Sequence, residues 1–552
     1  MNLLILSLFA CGVVIPDVPP EPEGPDDSDA AFPTDRVLEI AISLSDLDWD
    51  TCRNQTRNIY DLFAGECLAQ PFESPFTWFE GSVTIDGEKW DRVGVKKKGF
   101  LGSLDVGKPG LKIRFDKYDP NGAFHDLHKI ALNNTPQDPT MLHTCLAYEV
   151  FRNDDIPAPR CGFAHVVVNE EDLGVYAVVE PVDADFVTRN FPGEQGALYE
   201  GTVADFREGW TGTFEGETDA ADGADLLAVT DALTVKNADL AEALDAVVDM
   251  DEYYRFWAAE SLTGHWDGYN GNTNNFYVYD NPATGKMTFI PWGADAAFQS
   301  QDPFGEGAPV WVAAAATLPH RLINTDDGLA NYRSAMNQLL DDAWDEDAMG
   351  AEVDRMAGLI QPFMEQGWAT ATDDLRQIVK KKEGKITRAM DDDVDFSAEL
   401  RGKPCFREMG DFDATFETTF GTYPDSDVFN TGNASFHATW DDSAWDLPDA
   451  GATAGTAEDG SGVVMMAAIA KDGTRFIPYA SMNPNSIEAG ADLEFDFIHT
   501  TGAIYYLNAQ TGGDYALAAY LADGGIHFDK GDGKVGAAVQ GTMHGRLVAW
   551  GW

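Results

Sequence analysis

The sequence predicts an α+β chain in which a β-rich lobe, a helical lobe and an all-β domain follow one another. Three patterns indicate this order. Short apolar strands alternate with turns in the first third, helical periodicity runs through residues 326–388, and the chain beyond residue 405 is rich in Gly, Thr, Ala and Asp. We therefore expect a β-rich lobe over about 35–200, a helical lobe over about 201–405 and an accessory β-sandwich over 411–552.

The chain is strongly acidic. It has 552 residues, with 93 acidic against 37 basic side chains and a net charge of −56. A surface this negative repels phosphate backbones and anionic lipids, which excludes nucleic acid and anionic membranes as general partners. The charge suits a saline or extracellular setting and favours hard cations such as Mg²⁺ or Ca²⁺ as ligands.

The amino terminus predicts export. Residues 3–10 are apolar but too few to span a bilayer, which needs about 20, and they end in a lipobox-like sequence at Cys11. We expect residues 1–11 to be a lipoprotein-type signal with Cys11 lipidated; a plain signal peptide and a buried segment are the alternatives, because no basic residue precedes the run. Residues 12–34 are rich in Pro and acid, which predicts a disordered tether. The protein would then contact the membrane only through the lipid on Cys11.

Five further cysteines follow, and an exported chain permits disulfides. Cys52–Cys67 and Cys145–Cys161 are the short-loop pairings, although four cysteines allow three connectivities. In this scheme Cys405 stays unpaired.

A basic cluster interrupts the acidity between residues 92 and 117. Its eight members are Arg92, Lys96, Lys97, Lys98, Lys108, Lys112, Arg114 and Lys117. They flank a glycine-containing turn between two strand-like runs, where backbone N–H groups and ammonium groups can hold an anion. The alternative is a salt-bridged strand face.

Carboxylates and carboxamides gather around a predicted hairpin. An Asn- and Gly-rich loop over residues 265–275 precedes two strand-like runs joined by a turn. If the strands pair, Asp267, Asn272 and Asn275 converge with Asp295 at the open end. This predicts a hard-cation site; a structural Asn-rich loop is the alternative.

The spacing around this hairpin matches phosphotransfer machinery. His265, Asp267 and Asn272 have the H-x-D-x4-N spacing of a protein-kinase catalytic loop, and Asp295 stands where the metal-binding Asp comes after the hairpin. The middle Arg of the kinase motif is absent, and Asp295 is followed by Ala-Ala-Phe.

Several segments together resemble the CotH kinase family of atypical protein kinases. They are GVKKKG with KPGLKIRF, LNNTPQDPTMLHTCLAYEVFRNDDIPAPR, VVVNEEDLGVYAVVE, GALYEG, and HWDGYNGNTNNFYVY with FIPWGADAAF. They stand in the family's order from about 90 to 300, and the helices to about 390 are a candidate continuation. The resemblance implies a distorted protein-kinase-like two-lobed fold over residues 35–405 that uses Mg-ATP to phosphorylate Ser or Thr hydroxyls of proteins.

The resemblance also implies roles for single residues. Asp267 falls on the catalytic aspartate, and Asp295 on the metal-binding aspartate of the family's W-D-x-D segment, with Asn272 as a second metal ligand. Lys98 and Lys112 match basic residues that we assign to phosphates by electrostatics. The expected ion is Mg²⁺, with Mn²⁺ as an alternative.

Two further residues complete the expected nucleotide site. Glu180 would pair with a lysine as in the kinase Lys–Glu ion pair, and Trp292 is either an aromatic wall or core. Two positions depart from the family's pattern. Gly293 replaces the first Asp of W-D-x-D, and Lys96 replaces an Arg, which loses bidentate phosphate geometry.

The leading hypothesis is an exported kinase-like enzyme of the bacterial envelope or the extracellular space. The alternative is a weak or inactive kinase-like surface protein that acts in adhesion or envelope binding, with Trp440, Trp445 and Trp552 available for sugar or protein contact. The sequence leaves the acceptor protein and the oligomeric state open.

A third hypothesis is a Ca²⁺-dependent module built on Asp529, Asp532 and Gly533. This short segment has no full EF-hand loop, so an ordinary Asp-Gly turn is the stronger interpretation.

Overall fold

A computed structural model describes most of the chain. The described residues are 27–299, 311–365, 367–391, 399–423, 428–440, 443–507 and 516–551. The predicted signal with Cys11, the tether up to residue 26, and Trp552 lie outside the described residues.

The first part of the described chain is a closed β-barrel. Its strands are β1 (Leu38–Ser43), β2 (Phe79–Ile85), β3 (Glu88–Lys97), β4 (Leu111–Arg114), β5 (Lys129–Asn133), β6 (Cys161–Val168) and β7 (Glu171–Val179). The order is β1-β2-β3-β4-β5-β7-β6, and a parallel β1–β6 pair closes the ring. Alternate residues of β1 are buried, which places its Leu and Ile side chains in the barrel core.

Three helices accompany the barrel. Helices α1 (Asp46–Asn54) and α2 (Ile59–Leu62) lie between β1 and β2, and α3 (His143–Asn153) connects β5 to β6. Helix α3 begins only at His143, because Asp138 accepts the backbone N–H groups of Thr140 and His143 and so holds the preceding turn.

The end of the predicted tether is packed rather than disordered. Ala31 and Phe32 are buried against the barrel, and the guanidinium of Arg160 binds Ser28 Oγ and Asp29 Oδ1. The assignment of residues 27–34 to a disordered tether was therefore wrong. The Pro-rich composition predicted disorder, but this stretch also contains two apolar side chains that become buried.

Helices and a small sheet form the second part. Its elements are α4 (Ala184–Asn190), β8 (Ala197–Gly201), β9 (Phe214–Gly216), α5 (Ala224–Ala232), α6 (Leu240–Asp245), α7 (Met250–Thr263), α8 (Tyr269–Asn272), β10 (Phe276–Asn281), β11 (Lys286–Pro291), α9 (Thr317–Ile323), α10 (Asp326–Asp342), α11 (Glu346–Ile360), α12 (Trp368–Val379) and α13 (Lys382–Asp391). The sheet order is β11-β10-β8-β9. The start of α7 has half of a capping box: Asp249 accepts the N–H of Glu252, but the Glu252 carboxylate accepts the N–H of Phe289.

The third part is all-β, as predicted, but it is not a sandwich. Its strands are β12 (Phe406–Thr419), β13 (Asn433–Trp440), β14 (Ser443–Thr456), β15 (Gly462–Ile469), β16 (Arg475–Met482), β17 (Asp492–Glu494), β18 (Thr501–Leu507), β19 (Ala516–Lys530) and β20 (Ala538–Trp550). β20 pairs with both β12 and β19, so eight of these nine described strands close into one antiparallel ring. Long strands with bulges near Gly410 and Gly525 allow this curvature.

Of the two predicted disulfides, Cys145–Cys161 is confirmed and Cys52–Cys67 is not. Cys67 bonds to Cys405 across 338 residues, Cys145 bonds to Cys161, and Cys52 is a buried free thiol. The Cys52–Cys67 assignment was wrong: Cys52 points into the barrel core, while Cys67 faces the start of the closed sheet. In the part of the chain that the structure describes, no helix combines the length and apolarity needed to cross a membrane.

Leu521 tests the packing of the closed sheet. It is 0% exposed, whereas Leu517 on the same strand β19 is 41% exposed. We expect Leu521→Ala to lower the free energy of unfolding by about 2–5 kcal/mol, because it leaves a cavity. Leu517→Ala should change it by less than about 0.5 kcal/mol. Urea unfolding of both variants measures the difference, and equal effects would contradict this description of the core.

Candidate functional site

One polar cavity of about 450 Å³ lies between the barrel and the β10–β11 hairpin. Strands β3, β4 and β5 form one wall, and the loops before β10 and after β11 form the other. The cavity therefore brings together the basic cluster and the carboxylates that the sequence singled out.

Strand register places the basic side chains on one face. Lys96 is directly opposite Lys112 in the β3–β4 pair, so their side chains point to the same side of the sheet. Lys98, two residues further, lines the same cavity. We refer to Lys96, Lys98 and Lys112 as the inner lysines. Lys97 points the other way, and its buried Nζ donates to the carbonyl of Arg53 at 2.6 Å.

The outer cations of this face are paired. Arg114 and Lys129 are opposite each other in the β4–β5 register; Arg114 binds Asp116 at 2.6 Å, and Lys129 binds Asp183 at 2.9 Å. By contrast, none of the ion pairs among the described residues includes an inner lysine. The rim of this face is salt-bridged, as the alternative predicted, whereas the inner lysines line the cavity and stay candidates for binding an anion.

Lys98 lies closest to the carboxylates. Its Nζ donates to Asn133 Oδ1 and lies 5.5 Å from the ring centre of Trp292. Its pKa is lowered to about 8, chiefly by burial and then by the charge of Lys112, while the charge of Asp295 opposes the shift. A bound anion would stabilise the charged ammonium here.

Three carboxamides hold the carboxylate of Asp267. Asn272 Nδ2 and Asn274 Nδ2 donate to Oδ1 at 2.5 and 3.2 Å, and Asn275 Nδ2 donates to Oδ2 at 2.7 Å. Burial raises the pKa of this carboxyl, and the three hydrogen bonds oppose that shift. The carboxylate is thus oriented by neutral donors, which leaves its basicity available to a reacting hydroxyl.

Asn272 is placed differently from its predicted role. The described residues that line the cavity include Asn274 and Asn275 but not Asn272, whose Nδ2 is engaged by Asp267. Asn272 therefore orients the Asp267 carboxylate, and the carboxamides beside the candidate metal position are Asn274 and Asn275.

Asp295 lies near Asp267 on the same wall of the cavity. The pKa of Asp295 is raised to about 7, chiefly by burial and then by the like charge of Asp267, while Lys98 opposes the shift. His143 Nδ1 contacts the backbone carbonyl of Asp295 at 3.2 Å and fixes this turn on α3. Two poorly solvated carboxylates with neighbouring amide oxygens fit a hard divalent cation, which would relieve their repulsion.

The Gly293 departure has a structural counterpart. Gly293 has φ +53°, and a Cβ built on it would collide with the side chain of Asn275. Asn275 uses the space to reach Asp267. An Asp at position 293 would thus require Asn275 to move. The glycine at 293 and the position of the Asn275 carboxamide therefore depend on each other.

Buried polar residues that the sequence analysis missed position the loop. Glu260 on α7 is 1% exposed and accepts the backbone N–H groups of Tyr269 and Asn270 and the amide of Asn270. Tyr253 donates to Asn270 Oδ1 at 2.7 Å. A glutamate that directly follows the apolar run of residues 256–259 was the available sequence signal, because such a carboxylate needs buried partners.

His265 connects the two loops of the hairpin. It is buried, and its Nε2 lies 2.9 Å from the carbonyl of Trp292. Burial lowers the pKa of His265 to about 4, so the ring is neutral at physiological pH and Nε2–H donates to that carbonyl.

Glu180 does not pair with a lysine. Its buried carboxylate binds Arg160 at 2.7 Å and Arg189 at 2.5 Å, away from the cavity. The predicted Lys–Glu ion pair was therefore wrong, because two arginines from the turn before β6 and from α4 surround this carboxylate. Glu180 joins the barrel to α4.

Trp292 lies partly in the core and partly in the cavity wall, so its nucleotide-binding role stays a prediction. It is half-buried, packs edge-on against Tyr277 at 5.7 Å between ring centres, and lines the cavity beneath Lys98.

Three further carboxylates line the cavity and were missed. Glu200, Glu215 and Glu217 offer oxygens within 4.8 Å of one another. The pKa of Glu217 is raised to about 7, chiefly by burial and then by the charge of Glu200, while Lys112 opposes the shift. These acids balance part of the positive charge on the barrel wall.

The Asp529–Gly533 segment covers the end of β19 and the start of the bend that follows it. Asp532 pairs with Lys534 at 2.7 Å, Asp529 lies 3.7 Å from His527, and Gly533 has φ +62°. These contacts agree with an ordinary Asp-Gly turn and give the calcium hypothesis no support.

An oriented aspartate, a second aspartate on the adjoining turn and cationic strand residues in one cavity define a kinase-like site. The CotH kinase protein family matches residues 95–389, more than half of the 552 residues. The chain therefore belongs to the CotH kinase family.

Two curated proteins are similar to this chain. Inner spore coat protein H of Bacillus subtilis (strain 168) is 24% identical over 277 residues, covering 47% of this chain and 74% of the relative. Spore coat protein homolog 1 of Rhizopus delemar is 24% identical over 220 residues, covering 36% of this chain and 35% of the relative.

Two solved structures also match. They are the Helicobacter pylori proinflammatory kinase CtkA, at 10% identity over 54% of this chain and 95% of that chain, and the Shewanella oneidensis HipA, HipB and operator DNA complex, at 13% identity over 54% and 68%. Both TM-scores are 0.31. The fold of this chain is therefore defined by its own strand order.

Gly293→Ala tests the packing against Asn275. Gly285→Ala is the matched control, because Gly285 has φ +66° with nothing within 4 Å of a Cβ. We expect the control to lower the free energy of unfolding by about 1–2 kcal/mol through backbone strain alone. Gly293→Ala should cost about 1–3 kcal/mol more, because Asn275 is displaced. Equal costs in urea unfolding would contradict the proposed interlock.

Proposed function

We propose that this chain is an atypical protein kinase that transfers the γ-phosphate of Mg-ATP to Ser or Thr hydroxyls of proteins. The observation that carries the proposal is the single cavity in which Asp267 and Asp295 face the inner lysines. Family membership supports phosphotransfer chemistry and the general use of ATP with a divalent metal.

Asp267 is the proposed catalytic residue. It would accept a hydrogen bond from the acceptor hydroxyl and take its proton as the phosphoryl group is transferred. Its three carboxamide donors fix the direction of the carboxylate, so little reorganisation is needed when the acceptor arrives.

Asp295 is the residue that would hold Mg²⁺, or Mn²⁺ as the alternative, with Asn274 and Asn275 beside it. When bound, the ion would supply charge neutralisation at the phosphate oxygens. The inner lysines would neutralise the remaining phosphate charge from the opposite wall, which explains why they have no carboxylate partners within ion-pair distance among the described residues. Trp292 would offer an aromatic surface to the nucleotide.

The proposed location is the cell envelope or the extracellular space. The predicted lipoprotein-type signal with Cys11 supports export, and both curated relatives are named as spore coat proteins. Proteins with accessible Ser or Thr residues are the proposed partners, and the membrane would be reached only through the lipid.

The adhesion alternative has a weaker basis. Trp440 lies 6.3 Å from Tyr506 between ring centres, and Trp445 lies 5.2 Å from Phe476. Both tryptophans are half-buried and pack against the core of the closed sheet, so their rings already contribute to folding.

Phosphate incorporation tests the proposed kinase. We expect Asp267→Asn and Asp295→Asn each to reduce transfer from γ-labelled ATP, into the chain itself and into casein, by at least about 10²-fold. The reason is that the first removes the proton acceptor and the second removes the proposed metal ligand.

Asp280→Asn is the matched control, because Asp280 lies at the far end of the same hairpin. It should keep wild-type activity, and circular dichroism should show that all three variants are folded. Wild-type transfer no greater than that of Asp267→Asn or Asp295→Asn would overturn the proposal.

A further inference from the structure

We propose that the closed sheet of residues 406–550 is part of the nucleotide-binding machinery: through an aromatic cluster it holds Phe100, at the tip of the glycine loop, over the cavity. The glycine loop is residues 98–110, between β3 and β4. The effect on ATP rests on the proposed function, whereas the effect on the loop itself does not.

The base of the glycine loop is anchored within the barrel. The backbone N–H of Lys98 donates to the carbonyl of Gly110 at 2.8 Å, and Asn134 Nδ2 donates to the carbonyl of Lys108 at 2.8 Å. Arg53 Nε donates to the carbonyl of Val106 at 2.8 Å. These bonds fix the two ends and the return half of the loop, but none of them reaches Phe100.

The tip depends on aromatic contacts. Phe100 lies 5.3 Å from Phe72 and 6.4 Å from Phe63 between ring centres. Phe63 in turn lies 5.5 Å from Trp550, the last residue of β20, and 6.3 Å from Phe406, the first residue of β12. An unbroken series of ring contacts therefore joins the glycine loop to the C-terminal domain.

Covalent and backbone bonds hold this series in place. The Cys67–Cys405 disulfide ties the segment after α2 to the residue before β12. The backbone N–H of Phe406 donates to the carbonyl of Phe63 at 2.6 Å. Phe63 is thus fixed to the closed sheet more firmly than to the barrel.

Phe100 also determines the place of a cavity cation. The guanidinium of Arg57 lies 5.1 Å from the Phe100 ring centre and 5.4 Å from that of Phe76, and Nη1 donates to the carbonyl of Glu73 at 2.9 Å. Arg57, Phe76 and Phe100 all line the cavity. Gly99 has φ +133° and adds no side-chain restraint. Beyond it, Phe100 and the neighbouring Leu101 pack on the aromatic cluster, and the carbonyl of Ser103 accepts from Asn134 Nδ2 at 3.1 Å.

This arrangement makes Phe63 and Trp550 positioning residues. A glycine loop approaches phosphates rather than the base, so loosening its tip should weaken the binding of a triphosphate and leave that of adenosine unchanged. Phe63→Leu is the test variant, because it keeps an apolar side chain and removes the ring contacts. Phe436→Leu is the matched control: Phe436 packs on Phe412 inside the same closed sheet, away from the cluster.

The first measurement is amide hydrogen exchange in the full chain without nucleotide. We expect exchange of residues 98–104 to rise by about tenfold in Phe63→Leu, the size expected when two aromatic contacts are lost. The Cys67→Ser/Cys405→Ser variant should behave in the same way, and Phe436→Leu and Cys145→Ser/Cys161→Ser should not. Unchanged exchange in Phe63→Leu would overturn the inference.

The second measurement is calorimetric binding of Mg-ATP and of adenosine. Phe63→Leu should raise the Kd for Mg-ATP by about tenfold and leave the Kd for adenosine within error. Equal Mg-ATP affinity in wild type and Phe63→Leu would overturn the inference while leaving the kinase proposal intact. If the wild type binds no Mg-ATP, the kinase proposal fails, and the exchange measurement alone decides whether the closed sheet positions the loop.

Discussion

The separation of charge across one cavity is the constraint on which the rest of the site depends. Positive side chains stand on the barrel strands, and Asp267 and Asp295 stand on the hairpin loops. The rim cations pair with acids, and Glu200, Glu215 and Glu217 balance only part of the charge of the inner lysines. The alternation of the β-strands enforces this separation on one side, because every second residue of β3 and β4 faces the cavity. The β10–β11 pairing enforces it on the other side, because it brings Asp267 and Asp295 to the same end of the hairpin.

Holding such charges apart requires a stiff frame. On the hairpin side the buried Glu260 binds the loop over residues 265–275, and the carboxamides of Asn272, Asn274 and Asn275 bind Asp267. On the barrel side the arginines around Glu180 join β7 to α4. None of these contacts touches a substrate in the proposed mechanism, yet each keeps the reacting groups where they can face one.

Local sequence patterns predicted the features that short stretches of chain determine. The meeting of Asp267 with Asp295 was foreseeable because two short strands and a turn set the register of a hairpin. The site's approximate residue set was foreseeable for the same reason, together with the family resemblance. The partners of Glu180 were not, because Arg160 and Arg189 reach it through tertiary packing that spacing does not encode.

The same limit applies to long-range pairings. Nothing local indicates that Cys67 meets Cys405 across 338 residues, or that the first and last strands of the C-terminal domain pair and turn an expected sandwich into a closed ring. The sequence likewise does not predict the role of Gly293. From the sequence it is only a missing carboxylate, whereas the structure places it against the side chain of Asn275.

A crystal structure of the full chain with Mg²⁺ and a non-hydrolysable ATP analogue tests the central claim most directly. The account predicts the triphosphate between the inner lysines and Asp295, with the ion on Asp295 and the terminal phosphate facing Asp267. A nucleotide bound outside this cavity, or a cavity that stays without nucleotide at saturating concentrations, would contradict it.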